Sequence, residues 1–173
     1  IVDGLQAGWA DVGRQGGVLL LAQMSSRGNL LNPQYTAQVV EKGKAHDGVF
    51  GFIGNGSRTD ELRELRKTVG EAKMIWTPGV NLAVGDGEMG QRYGDPAQAV
   101  NAGSDCIIVG PGIHMADNPS QQAAKYAEAI PFIKKSLETK FVFLVELNIP
   151  VVDGMNFLQK EFPNYPESVC ILL

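Results

Sequence analysis

Three loops in the 173-residue chain carry the side chains best placed for chemistry, and each follows an apolar, strand-like run. The first, Ser25 to Asn32, opens with Ser25-Ser26-Arg27-Gly28 directly behind VLLLAQM. A serine leaving a buried strand offers a hydroxyl that both donates and accepts, which suits a planar polar ring. The same residues also make an ordinary turn. The second loop, Pro78 to Gly94, reads PGVNLAVGDGEMGQRYG, longer and richer in glycine than a simple connection needs, as lids and ligand clamps are. Near its end Gln91 and Tyr93 stand two apart, so in an extended segment an amide and a phenol point the same way, toward one acceptor-rich group. A phosphate suits that pair; an exposed loop whose Tyr93 packs back on the surface is the competing reading. The third loop, Pro111 to Asn118, follows a strand that ends at Gly110. Glycine there lets a phosphate approach backbone N–H groups, whereas Pro111 removes one such donor. His114 stands alone in this loop and reads as structural or solvated, and His46, at a helix end, fits the helix dipole.

Several chemistries find no footing. The two histidines and two cysteines are far apart and show no metal-ligand spacing, so no metal is expected. A GxSxG nucleophile elbow is absent, and GDGEMG has no strand-to-helix context for a dinucleotide fingerprint. Net charge is −4, with 15 Lys and Arg scattered along the chain, which argues against nucleic acid as a partner. Cys106 lies within the apolar run CIIVG, where a reduced, buried thiol is expected. No apolar run reaches the roughly 18 residues that span a bilayer. A cytoplasmic protein without membrane association is the expectation. The first residue is Ile1, not methionine, and the pattern reads as the later part of a longer fold.

The loops need a frame. Strand-length apolar runs alternate with stretches of helical period, as in a parallel sheet built from βα units. Strands are expected at Val18–Met24, Val49–Gly54, Lys73–Thr77 and Cys106–Gly110. Helices are expected at Pro33–His46, with Tyr35, Val39 and Gly43 inward, and at Thr59–Val69, with Leu62, Leu65 and Val69 inward and Thr59 or Asp60 as cap. Two more are expected from Pro96 to about Ala102, capped by Asp95, and from Gln121 to Leu137, beginning near Ser120. Four consecutive units make half of an eight-stranded (β/α)8 TIM barrel; a doubly wound open sheet is the other architecture compatible with the periodicity. Residues 138–173 form an unassigned tail, with strand patterns at Phe141–Leu147 and Ser168–Leu173 and a helical one at Val151–Glu161. The tail either completes the sheet or starts a second domain.

Taken in order, VLLLAQMSSRGNLLNPQYT, VFGFIGNGSR, IWTPGVNLAVGDGEMGQRYGDPAQAV and GSDCIIVGPGI resemble the second half of the eukaryotic-type orotidine 5'-monophosphate decarboxylases, across residues 1–137. TPGV followed by GDGxxGQxY is the most specific part. The resemblance implies a substrate site: Ser25 bonding the pyrimidine ring, Pro78 bordering the ring pocket and opening the phosphate-gripping loop, Gln91 bridging ring loop and phosphate. Tyr93 would reach the phosphate through its hydroxyl, and Gly110 would meet it through its backbone. It also implies a small-molecule nucleotide, orotidine or uridine monophosphate, as ligand, no cofactor, and a homodimer. Two positions depart from the family. Pro111 stands where an arginine normally grips the phosphate. No aspartate here is followed two residues later by lysine, so the family's catalytic Asp-x-Lys-x-x-Asp element is missing and no catalytic residue is assigned to this chain. Two other readings stay open: a related barrel enzyme acting on a phosphorylated sugar, and a non-catalytic nucleotide-binding protein.

Overall fold

The computed structural model describes residues 1–83, 85–86, 92–130, 142–145 and 169–172. The chain falls into two compact units, Ile1–Ile107 and Ile108–Leu173.

The first unit is a parallel sheet with helices between its strands. Helix α1 (Val2–Asp11) leads to β1 (Val18–Leu21), α2 (Pro33–Lys44), β2 (Val49–Ile53), α3 (Thr59–Val69) and β3 (Met74–Thr77). A small antiparallel pair follows, β4 (Gly85–Asp86) with β5 (Arg92–Tyr93), then α4 (Pro96–Asn101) and β6 (Cys106–Ile107). The four parallel strands are ordered β1-β2-β3-β6, each beside its successor in the chain. A doubly wound sheet reverses its order at a switch point. No reversal occurs here, so these strands are consecutive staves of a (β/α)8 barrel wall.

Helices bury one side of the sheet. Phe52 and Ile75 from the strands and Leu62, Leu65 and Val69 from α3 are essentially inaccessible. Leu62, Leu65 and Ile75 converge over Gly54. Each such side chain contributes about 1.5–3 kcal/mol by leaving water. At the end of the sheet where strands begin, Arg66 ties the layers together. Its guanidinium donates to the carbonyls of Gly103 (2.9 and 2.8 Å), Gly70 (2.7 Å) and Lys73 (3.1 Å) and pairs with Asp105. The Asp105 carboxylate in turn accepts from the Ile75 N–H at 2.6 Å. Stability is anchored at this end, away from the loops that leave the other.

Several expectations needed revision. Strand β1 stops at Leu21, not Met24, because Ala22 and Gln23 both donate to the Ile53 carbonyl and the chain turns away. On α2 the buried residues are Val40 and Gly43, while Tyr35 is 38% exposed and Val39 only partly covered. Tyr35 instead uses its hydroxyl, donating to the Leu21 carbonyl at 3.1 Å. Neither Thr59 nor Asp60 caps α3: Arg58 holds the cap position without a side-chain bond, and Asp60 pairs with Arg63. Asp95 does cap α4, accepting from the Gln98 N–H at 2.8 Å. Strand β6 is two residues long, not five.

In the second unit, α5 (Pro111–His114) and α6 (Pro119–Ala129) stand where an irregular loop and a helix from about Ser120 were expected. Asn118 caps α6, accepting from the Gln121 N–H at 3.0 Å. The stretch 131–137 of the expected helix and the helical pattern at Val151–Glu161 lie outside the described residues. Strands β7 (Val142–Val145) and β8 (Val169–Leu172) fall within the two strand patterns of the tail and pair in parallel.

Candidate functional site

The loops after β1, β2 and β3 meet through close backbone approaches. Ser25, 2% exposed, places its side chain directly on Gly79: a β-carbon at Gly79 would stand 2.7 Å from Ser25 Cβ and 3.0 Å from its Oγ. Gly79 also has φ +76°, a left-handed conformation that only glycine adopts without strain. Sequence-predicted Ser25 is therefore in the same cluster as half-buried Pro78. Strand β5 is laid on this loop. Gly94 donates to the Gly79 carbonyl at 2.8 Å and accepts from the Asn81 N–H at 2.9 Å, which holds half-buried Tyr93 beside it. Gln91 lies outside the described residues.

Residues not anticipated from sequence bind these loops together. Asn55, 3% exposed, follows β2; its Nδ2 donates to the Met24 carbonyl (3.2 Å), and its Oδ1 accepts from the Ser57 N–H (3.1 Å) and hydroxyl (2.7 Å). Its own N–H donates to Gln23 Oε1 at 3.1 Å, and the next N–H, of Gly56, donates to the Pro78 carbonyl at 3.0 Å. The available signal was Asn-Gly-Ser just past a strand, the composition of a side-chain-to-backbone turn. Arg92 Nε is buried with no hydrogen-bond partner among the described residues.

Close packing here makes one position sensitive. A β-carbon on Gly94 would lie 2.4 Å from the Gly56 carbonyl oxygen, a backbone atom that cannot swing aside. Gly94→Ala is expected to cost about 3 kcal/mol in urea unfolding, the upper range for overpacking. Gly8→Ala, in α1 with nothing within 4 Å, serves as the control and should not destabilise. Equal stability of the two variants would mean that the loops separate easily.

In the second unit, Gly110 is the N-cap of α5 and Pro111 its first residue, both exposed. The expected glycine-rich anion nest is thus a short helical turn, because Ile113 and His114 both direct their N–H groups to the Gly110 carbonyl, at 2.9 and 3.2 Å. Proline suits such a first position, where its missing N–H has no intrahelical acceptor. The space above the Gly110 α-carbon is open.

Two further reactive side chains, His46 and Cys106, serve the fold. His46 accepts from the Gly48 N–H through Nδ1 at 3.0 Å and meets Asp3 through Nε2 at 2.9 Å, tying α1 to the start of β2 in addition to any dipole effect. Burial, and secondarily the charge of Asp105, pushes the Cys106 thiol up to about 12. It stays protonated at neutral pH, unsuited to nucleophilic attack or metal ligation. Among the described residues no group of three His, Cys, Asp or Glu is placed to hold a metal, and no helix is long and apolar enough to cross a membrane.

Sequentially ordered parallel strands, with polar and glycine-rich loops interlocked at their carboxyl ends, define a (β/α)8-barrel protein, and it is at that end that such barrels bind small molecules. Residues 3–126 match the family model of the orotidine 5'-phosphate decarboxylase / HUMPS family, and the chain belongs to that family. It is 39% identical over 115 residues to the orotidine 5'-phosphate decarboxylase of Emericella nidulans, covering 66% of this chain and 42% of that protein. The Coccidioides immitis enzyme is 38% identical over 114 residues, covering 65% and 41%. Among solved structures, the orotidine 5'-phosphate decarboxylase of Pyrococcus horikoshii OT3 superimposes with TM-score 0.54 at 28% identity, over 70% of this chain and 52% of that one. The Sulfolobus solfataricus enzyme gives 0.54 at 25% identity, over 77% and 55%. The chain spans about two fifths of the length of the curated relatives it matches.

Proposed function

We propose that this chain supplies the pyrimidine- and phosphate-holding loops of an orotidine 5'-monophosphate decarboxylase, acting in the conversion of orotidine 5'-monophosphate to uridine 5'-monophosphate. The carrying observation is the interlock of Ser25 with the Pro78–Gly79 turn, which gathers ring-facing and phosphate-facing loops of the family motif into one cluster. In that reaction the bond from the ring to the carboxylate breaks, carbon dioxide leaves, and the electron pair on the ring carbon takes up a proton. The proton donor belongs to the Asp-x-Lys-x-x-Asp element, which this chain lacks.

What these residues contribute is binding and orientation. Ser25 offers a hydroxyl to the pyrimidine, and Pro78 borders the ring. On the motif match, Gln91 would bridge the ring loop and the phosphate, and Tyr93 would reach the phosphate through its hydroxyl. Holding a remote phosphate lowers the barrier when that binding energy is expressed in positioning the reacting group. The roles of Gln91, Gly110 and Pro111 rest on motif match alone, Gln91 lying outside the described residues. On the same reading the barrel half extends through residue 137, residues 138–173 have no assigned role, and the protein is a cytoplasmic homodimer that uses no cofactor.

Calorimetric titration tests the proposal. Uridine monophosphate should bind more tightly than ribose 5-phosphate, since only the former presents a ring to Ser25. Equal affinities would favour a barrel acting on phosphorylated sugars. The missing lysine–aspartate element and Pro111 favour, as a second reading, a nucleotide-binding protein without catalysis; it would remain inactive when joined to a native upstream segment.

A further inference from the structure

We propose that Asn55 is a positioning residue for ligand recognition: its side chain pins the Ser25 loop and, through the adjoining Gly56, the Pro78–Gly79 turn in one arrangement. The inference rests on the nucleotide-binding reading for what the loops recognise, but the pin itself is geometric.

An asparagine this deeply buried must satisfy its amide, and Asn55 does so in two segments, the loop after β1 and its own. The Nδ2 donor goes to Met24, the residue preceding Ser25, and Oδ1 takes both donors of Ser57. Its backbone N–H is taken by Gln23, whose own Nε2 reaches the Glu61 carbonyl in the first turn of α3 at 3.1 Å. The Ser25 loop is thereby referred to α3, which packs its Leu62, Leu65 and Val69 into the core, and not only to another loop. One residue on, Gly56 bonds the Pro78 carbonyl and its carbonyl faces the α-carbon of Gly94. Displacement of Asn55 therefore shifts the neighbours of Ser25, Pro78 and Tyr93 together. A buried hydrogen-bonded side chain that sets the geometry of ligand-facing groups without touching the ligand is what precise sites require.

Asn55→Asp separates positioning from bulk. It keeps the shape and the acceptor for Ser57, but opposes a carboxylate to the Met24 carbonyl. Asn55→Ser removes the same donor without adding charge, should the aspartate variant fold poorly. The full 173-residue chain is used, with uridine monophosphate as the probe and amide hydrogen exchange as a ligand-independent readout. Both variants are expected to weaken binding about tenfold and to speed exchange at the Gly56 and Gly94 amides by a similar factor, the equivalent of one hydrogen bond to a buried group. Val69→Ala, which opens a cavity at the far end of α3 beside Gly70, lowers stability away from these loops and should leave both readouts near the unaltered values. Unchanged exchange at Gly56 and Gly94 in the Asn55 variants, or the same acceleration in Val69→Ala, overturns the proposal. If the unaltered chain fails to bind uridine monophosphate while exchange responds as expected, the pin stands and the nucleotide reading falls.

Discussion

Purified as the 173-residue chain and supplied with orotidine 5'-monophosphate, the protein is expected to release carbon dioxide no faster than the spontaneous background. The expectation follows from what the chain contains. The groups proposed for its site are a serine, a proline, a glutamine, a tyrosine and backbone N–H groups, all assigned to binding and orientation, with no proton donor assigned to the carbanion carbon. No aspartate is followed two residues later by lysine. Enzymes accelerate reactions by about 10⁶-fold or more, and the chemical step collapses when the groups acting on the reacting atoms are absent. Capture of radiolabelled carbon dioxide over hours measures the difference. Mixing with a separately purified barrel segment that carries an Asp-x-Lys-x-x-Asp strand end should raise the rate. Turnover that survives purification of the chain alone would show that residues outside the family motif perform the proton transfer.

Pro111→Arg is expected to tighten uridine monophosphate binding by roughly tenfold to a hundredfold, the 1.5–3 kcal/mol typical of a hydrogen bond to a charged group. A guanidinium offers a planar pair of donors that matches two phosphate oxygens, whereas proline supplies neither charge nor an N–H. The fold should tolerate the change. Pro111 is exposed at the first position of α5, where an added N–H has no intrahelical acceptor to miss. Thermal unfolding should therefore move little while affinity rises, and the gain should shrink as salt is added. Affinity that stays constant through the substitution would remove Pro111 from the phosphate-binding role.

The asparagine pin and the Gly94 packing concern the same loops from a different side. Gly94→Ala disturbs them by steric overlap with a backbone carbonyl, and Asn55→Asp by withdrawing a hydrogen bond. If both weaken nucleotide binding while only Gly94→Ala costs substantial stability, loop position, not stability, governs recognition.

How much of this was legible in the sequence depended on the range of the interaction. Strand and helix positions in Ile1–Ile107 followed from apolar period and local caps, because a buried strand must be apolar and Asp95 bonds an N–H three residues away. The family likewise followed from linear motifs, TPGV and GDGxxGQxY, despite the missing Asp-x-Lys-x-x-Asp. What the sequence could not decide was anything set by approach between distant segments. Periodicity does not distinguish a barrel wall from a doubly wound sheet; only the pairing order β1-β2-β3-β6 does, since pairing joins residues 23 to 32 apart. The inward face of α2 was read from Tyr35, Val39 and Gly43; Gly43 is buried, but Val40 and not Tyr35 or Val39 is buried with it, because the sheet it packs on and the bond from Tyr35 to Leu21 set its rotation. Asn55 was not singled out at all; its reach to Met24, 31 positions earlier, exists only once β1 and β2 lie side by side. The types of the ligand-facing groups are written in the chain. Bringing Ser25 onto Gly79 and Gly94 onto Gly56 required tertiary packing, because those approaches depend on backbone atoms that carry no sequence signature.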